Sequence, residues 1–346
     1  MLLFLMLAFF VLLNEVTIKG DGEYFDDYIS HRSTMCINGF FTILIFLSHA
    51  VQYIELDGLF DATYLTFNKA MAQLVVATFL FYSGFGMMES INKRGHAYVK
   101  SIPFKRLFRV WYHFAFAILL YTVFNLLIGK HMELRTWLLS FTGYSSIGNS
   151  NWYMFVTFAM YIIIFIGFVI APKHKLVSLA NVWVLTLCFI AAEMSLDLPS
   201  RFYNTIILFP AGMTFSVLKP YFDSFIQKND AIYWLSLSAS LACMFIAYKY
   251  RFDSYTMYSI WAVFFMLSTI LVTMKVKFSN DMLAWFGTHV FSIYILMRLP
   301  MQLFDLIGLS HHTFVFIVMS FVATVALMSI FEQILALMDA RIFQRR

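Results

Sequence analysis

Apolar runs of about twenty residues recur along the whole chain, and that is the length an α-helix needs to cross the roughly 30 Å hydrocarbon layer of a bilayer. Within that layer each backbone N–H and C=O must be bonded internally, so every such run is expected to be a helix. The runs cover residues 36–54, 68–89, 110–129, 151–171, 176–194, 202–218, 231–249, 255–274, 283–305 and 312–338. Composition excludes a water-soluble alternative: 61% of residues are hydrophobic and 12% charged, against roughly a quarter charged in a soluble domain. The 41 Phe and 19 Tyr suit surfaces that face lipid tails and headgroup borders. The fold class expected is therefore all-α, a polytopic integral membrane bundle of about ten or eleven transmembrane helices. No Gly/Ser/Pro linker, charge block or internal repeat divides the chain, so residues 1–346 are expected to form one domain with a ten-helix core over 36–338. The opening MLLFLMLAFFVLLNEV, 1–16, is shorter. It lacks a basic start and a small-residue cleavage site, so it reads as an eleventh helix in preference to a signal peptide.

The formal net charge of +5 could suggest a nucleic-acid partner, but the cations sit at span ends, where they set membrane orientation. Taking alternate connections, one set holds Lys19, Arg32, the run from Lys93 to Arg109, Lys173, Lys175, Lys219, Lys228, Lys275, Lys277, Arg341, Arg345 and Arg346. The other set holds only Lys130, Arg135, Arg201, Lys249 and Arg251. The split predicts a multi-pass protein of the cell membrane with 90–109 and the C-terminus in the cytoplasm, a lipid bilayer as its partner and no nucleic acid. Cys36, Cys188 and Cys243 stand singly in apolar stretches without CxxC spacing or nearby His, so neither a disulfide nor a metal site is expected.

Ionisable groups inside spans are costly and face a protein interior or a wet cavity. His49 lies near the end of FFTILIFLSHAVQYI, and an imidazole there can exchange a proton or simply bridge two helices. Arg298, in FGTHVFSIYILMRLPMQLF, falls at a similar depth. Its permanent charge calls for an anion: a developing oxyanion, a carboxylate such as Glu193 or Glu55, or the outer headgroups. Asn151, Trp152 and Tyr153 open another span at that level, where an aromatic belt is the ordinary reading. On the opposite face KRLFRVWYH sets Arg106, Arg109 and His113 at i, i+3 and i+7, one stripe of an α-helix. With Lys100 and Lys105 the stripe can hold the phosphates of a nucleotide-like ligand or anchor the chain on anionic lipid. In FLFYSGFGMMESI the small residues Ser83, Gly84 and Gly86 permit close helix approach.

The order of these signals resembles the acyltransferase type 3 family of membrane O-acyltransferases over most of the chain. NGFFTILIFLSHA resembles that family's first core helix ending in a catalytic histidine, and FLFYSGFGMMESI its Phe-rich Ser-Gly-Phe helix. KRLFRVW matches its Arg-x-x-Arg motif at Arg106 and Arg109, and NWYMFVTFAMYIIIF, FYNTIILFPAGMTFSVLK and FGTHVFSIYILMRLP resemble later spans in the same order. In one departure, the family's arginine eleven positions before the histidine is Asn38 here, and Arg32 stands six residues too early.

The resemblance implies transfer of an acyl group, commonly acetyl, from cytosolic acyl-CoA to a hydroxyl of a cell-envelope glycan or lipid-linked sugar, with no metal. Arg106, Arg109 and His113 would hold the donor, His49 would act as general base, and Arg298 and Asn151 would steady charge or position the acceptor. Donor and base then stand at opposite faces, which requires either an acyl arm threaded through a pore or an acyl-enzyme. Two other readings use the same residues: a transporter or flippase for lipid-linked saccharides, and a non-catalytic relative of the family.

Overall fold

The computed structural model describes residues 1–71 and 73–343, so Arg345 and Arg346 of the charge count lie outside the described residues. The chain folds as a polytopic membrane helical bundle, as its apolar runs predict. Helix α1 spans Leu2–Leu13, α2 His31–Ala50, α3 Asp61–Met71, α4 Leu74–Ile102, α5 Arg109–Leu127, α6 Leu134–Ser140, α7 Trp152–Ile170, α8 Lys175–Ser195, α9 Leu208–Ile226, α10 Asp230–Tyr250 and α11 Tyr255–Lys275. The last part comprises α12 Asp281–Thr288, α13 Val290–Leu296, α14 Arg298–Leu306 and α15 Thr313–Phe343. Side-chain caps start several of them: Ser30, Asn229, Ser254 and Asn280 each accept a backbone N–H of the first turn of α2, α10, α11 and α12.

Among the described residues seven helices are long and apolar enough to cross a membrane, or eight when a pair bent by 64° at His289 counts as one span. The expected ten segments are nonetheless helical. Asp61–Leu127 counts once because α3, α4 and α5 follow closely on one another, although Gly95 leaves helical geometry with φ +58° and ψ −146° and kinks the stretch. Helix α9 carries Lys219, Pro220 and Asp223 in its last turns, which lowers its apolar character. The expected eleventh helix forms as α1, yet its 12 residues rise only about 18 Å, short of the bilayer core. The expectation of helices alone also missed a two-stranded antiparallel sheet, β1 Val16–Ile18 with β2 Val276–Phe278, registered Thr17 on Lys277. Three-residue strands are too short to show an alternating pattern in sequence.

Two helix pairs form the frame of the bundle, and each approaches through glycine. Helices α2 and α12 run in the same direction: Arg32 pairs with Asp281 at one end, Gly39 lies against the Leu283 carbonyl, and Gly287 against that of Met35. A Cβ at Gly39 or Gly287 would collide with backbone that has no room to yield. Helices α4 and α9 are likewise parallel, from Asn204 donating to Gln73 at 3.3 Å, past Gly84 on Phe209 and Gly212 on Phe81, to Ser216 donating to Glu89 at 2.6 Å. Small residues at such crossings let helix backbones touch, which replaces the hydrophobic drive that lipid removes.

The cations gather on one face, as the connection count expects. There Lys277 meets Asp27 at 2.6 Å, Lys275 meets Asp230 at 2.9 Å, and Arg109 pairs with Asp339 near the end of α15. His49, Arg298, Arg201 and Trp152 lie at the opposite face.

Candidate functional site

Two cavities are stacked between the faces. The larger, about 990 Å³, opens on the basic face beside Lys93, Arg106 and Lys219 and runs inward past Asn38, Ser83 and Gly86 to Tyr153 and Tyr294. The smaller, about 170 Å³, lies under the opposite face beside His49, Gln52, Trp152 and Arg201, and also ends on Tyr294.

Local helix geometry decides which cations reach the larger cavity. Residues Pro103–Phe108 form a π-helical turn, wider than an α-turn and closing i→i+5 bonds, which shifts Arg106 out of the expected stripe. Arg106 lines the cavity and donates from Nε to the Tyr98 hydroxyl at 3.2 Å, with no carboxylate partner among the described residues. Arg109 and His113 instead converge on Asp339: Arg109 Nε donates at 2.9 Å, and His113 Nε2 lies 3.0 Å from Oδ1 and 2.9 Å from the Tyr112 hydroxyl. The three expected donor-binding residues are thus divided, one in the cavity and two in a tie to α15.

The other charges at the cavity mouth are mostly spoken for. Lys219 pairs with Asp223 at 2.6 Å, and Tyr28 donates to the same carboxylate at 2.7 Å. Burial, and then Asp223, push the Tyr28 hydroxyl well above its ordinary pKa, so it remains a donor at any physiological pH. Asp27 is held by Lys277 and Glu89 by Ser216. Lys93 and Arg106 are left to face the opening without a carboxylate partner among the described residues, in a cavity that Asp26 also lines. Deeper in, Asn38 is 7% exposed and its buried Oδ1 has no hydrogen-bond partner among the described residues, at the position where the family resemblance expects an arginine.

At the smaller cavity a chain of contacts fixes the imidazole. Arg298 can only donate, and it bonds Gln52 Oε1, with its Nε on the Tyr53 hydroxyl at 3.3 Å. The Gln52 amide nitrogen then faces His49 Nδ1 at 3.5 Å. This orientation puts the Nδ1 lone pair, with the neutral ring's proton on Nε2, toward a long and displaceable donor. The expected carboxylate for Arg298 is absent from this arrangement: Glu193 is 2% exposed and neither of its oxygens has a partner among the described residues. Asn151 also differs from expectation, because its Nδ2 donates to the Gly143 carbonyl at 2.9 Å and the Tyr144 carbonyl at 3.2 Å. It pins the 143–144 turn, while its neighbour Trp152 lines the cavity.

Sequence reasoning passed over Gln52, Arg201 and Tyr294. Two carried a spacing signal: Gln52 is three residues beyond His49, just past the end of α2, and Tyr294 is four before Arg298, about one helical turn.

The site and fold together define a membrane helical bundle with a basic-mouthed cavity and a histidine-bearing cavity meeting end to end. No family model, curated protein or solved structure matches the chain.

Proposed function

We propose that this chain is a membrane O-acyltransferase of the acyltransferase type 3 kind, moving an acyl group, commonly acetyl, from cytosolic acyl-CoA to a hydroxyl of a cell-envelope or exported glycan. The observation that carries this reading is the stacking of the two cavities on Tyr294, which allows a slender thioester arm from one face to meet a hydroxyl from the other. Lys93 and Arg106 face the phosphates of the donor at the mouth, with Arg106 offering the forked donor geometry that suits them. The acceptor hydroxyl displaces the Gln52 amide and donates to His49 Nδ1. As the proton moves to Nδ1, the hydroxyl oxygen bonds to the thioester carbonyl carbon, the C–S bond breaks, and the imidazolium returns the proton to the leaving thiolate. The products are the O-acyl ester and free CoA thiol. Arg298 holds Gln52 and stabilises charge near the reacting centre, and Trp152 offers a face on which a sugar ring stacks. Asn151 acts at one remove, by fixing the turn beside Trp152.

Donor binding separates the roles of the two arginines. Arg106→Lys is expected to weaken acyl-CoA affinity by about tenfold, the effect of losing a charge-assisted fork. Arg109→Lys leaves donor affinity unchanged and lowers thermal stability through its contact with Asp339. Calorimetric titration with acetyl-CoA checks both, and equal affinity in wild type and Arg106→Lys would return Arg106 to a lipid-anchoring role.

The basic face is assigned to the cytoplasm by its cations. An impermeant thiol reagent on intact cells is expected to label Gly58→Cys and to spare His96→Cys. The reverse pattern would invert the topology.

A further inference from the structure

Tyr294 is the one side chain among the described residues that lines both cavities. It is 5% exposed, and its ring stands edge-on to Tyr153, with centroids 5.5 Å apart, and to His49 at 6.3 Å. Its hydroxyl is buried next to the Ser150 hydroxyl and the Tyr153 backbone, without a bond of good geometry to either. The helix that carries it begins at a break: the chain leaves helical geometry at His289, where the flanking segments bend by 64°, and then runs on in helical geometry through Met297.

We infer that Tyr294 is the constriction of a single continuous path between the two cavities, and that its ring sets how large an acyl group can reach His49. The second half rests on the acyl-transfer reading, whereas the first rests on geometry alone. The constriction explains how a phosphate-binding mouth and a histidine at opposite faces serve one site without leaving an open pore. Short acyl groups pass the ring edge, and longer ones are excluded because even one methylene of misfit is worth roughly 10- to 200-fold in an apolar passage.

The test uses full-length protein in vesicles, with Ser48→Cys as a reporter on the wall of the smaller cavity. Labelling is scored over the same protein without the added cysteine. With Tyr294 or Tyr294→Phe in place, an impermeant methanethiosulfonate reagent applied from the basic face is expected to leave the reporter largely unmodified. Tyr294→Ala is expected to raise that modification rate at least about tenfold, and Tyr294→Leu serves as a second variant that keeps apolar volume while removing the ring. Unchanged rates from the basic face in both would overturn the constriction. On the chemical side, the hexanoyl-to-acetyl ratio of CoA release should rise by about tenfold or more in Tyr294→Ala and stay put in Tyr294→Phe. An unaltered ratio in an active Tyr294→Ala protein would overturn the assignment of acyl selectivity to this ring. Raised labelling with no CoA release from any protein, wild type included, would leave the constriction standing and remove the acyl-transfer reading beneath its second half.

Discussion

His49→Gln is expected to lower acyl transfer by about two decades or more, the ordinary contribution of a general base, while the unfolding temperature stays where it was. The asymmetry follows from what the imidazole touches. It makes a 3.5 Å approach to the Gln52 amide and an edge-on ring contact with Tyr294, both at the wall of a cavity and neither a buried structural bond. Glutamine keeps comparable size and an acceptor for Gln52, yet it cannot take a proton near neutral pH. Retention of more than about a tenth of wild-type turnover would make His49 a packing residue.

The second large effect is structural. Gly287→Val and Gly39→Val are each expected to abolish folded, monodisperse protein, because the new side chain would be driven into the Met35 or the Leu283 backbone. Overpacking a core costs about 1–3 kcal/mol when side chains can give way, and here the obstacle is main chain on a rigid helix. A domain stable by about 5–15 kcal/mol has little margin for that. Gly86→Ala is the control, since an added Cβ there meets nothing within 4 Å. Size-exclusion profiles in detergent distinguish the cases, and a normal profile for Gly287→Val would show that α2 and α12 do not pack as described.

The helices, the basic face and the common depth of His49 and Arg298 were legible because hydropathy and charge placement are properties of short stretches of chain. What escaped depends on partners remote in sequence or on small changes of helical pitch. Arg106, Arg109 and His113 share a stripe only if the helix keeps α geometry, and the π turn at Pro103–Phe108 divides them. Asn151 looked like a site residue by its level in the membrane, but its amide is committed to the turn at Gly143. Gly39 and Gly287 announce permissive positions, though not that each meets the other's helix. Tyr294 stood inside a motif already singled out, and nothing in a run so rich in aromatics marks the single ring on which two cavities meet. Asn38 was visible as a departure from the family pattern, and only the fold shows that it lines the cavity and that its Oδ1 is buried without a partner among the described residues.

If an acyl group is transferred between the two cavities, the fate of the thioester reveals it. Purified protein in vesicles is supplied with acetyl-CoA labelled in the acetyl group on the basic face and with candidate glycans on the other. The account predicts free CoA thiol and label ester-linked to the glycan in equal amounts, both lost in His49→Gln. Passage of a saccharide across the vesicle with no thiol released, or thiol release that persists at the wild-type rate in His49→Gln, would contradict it.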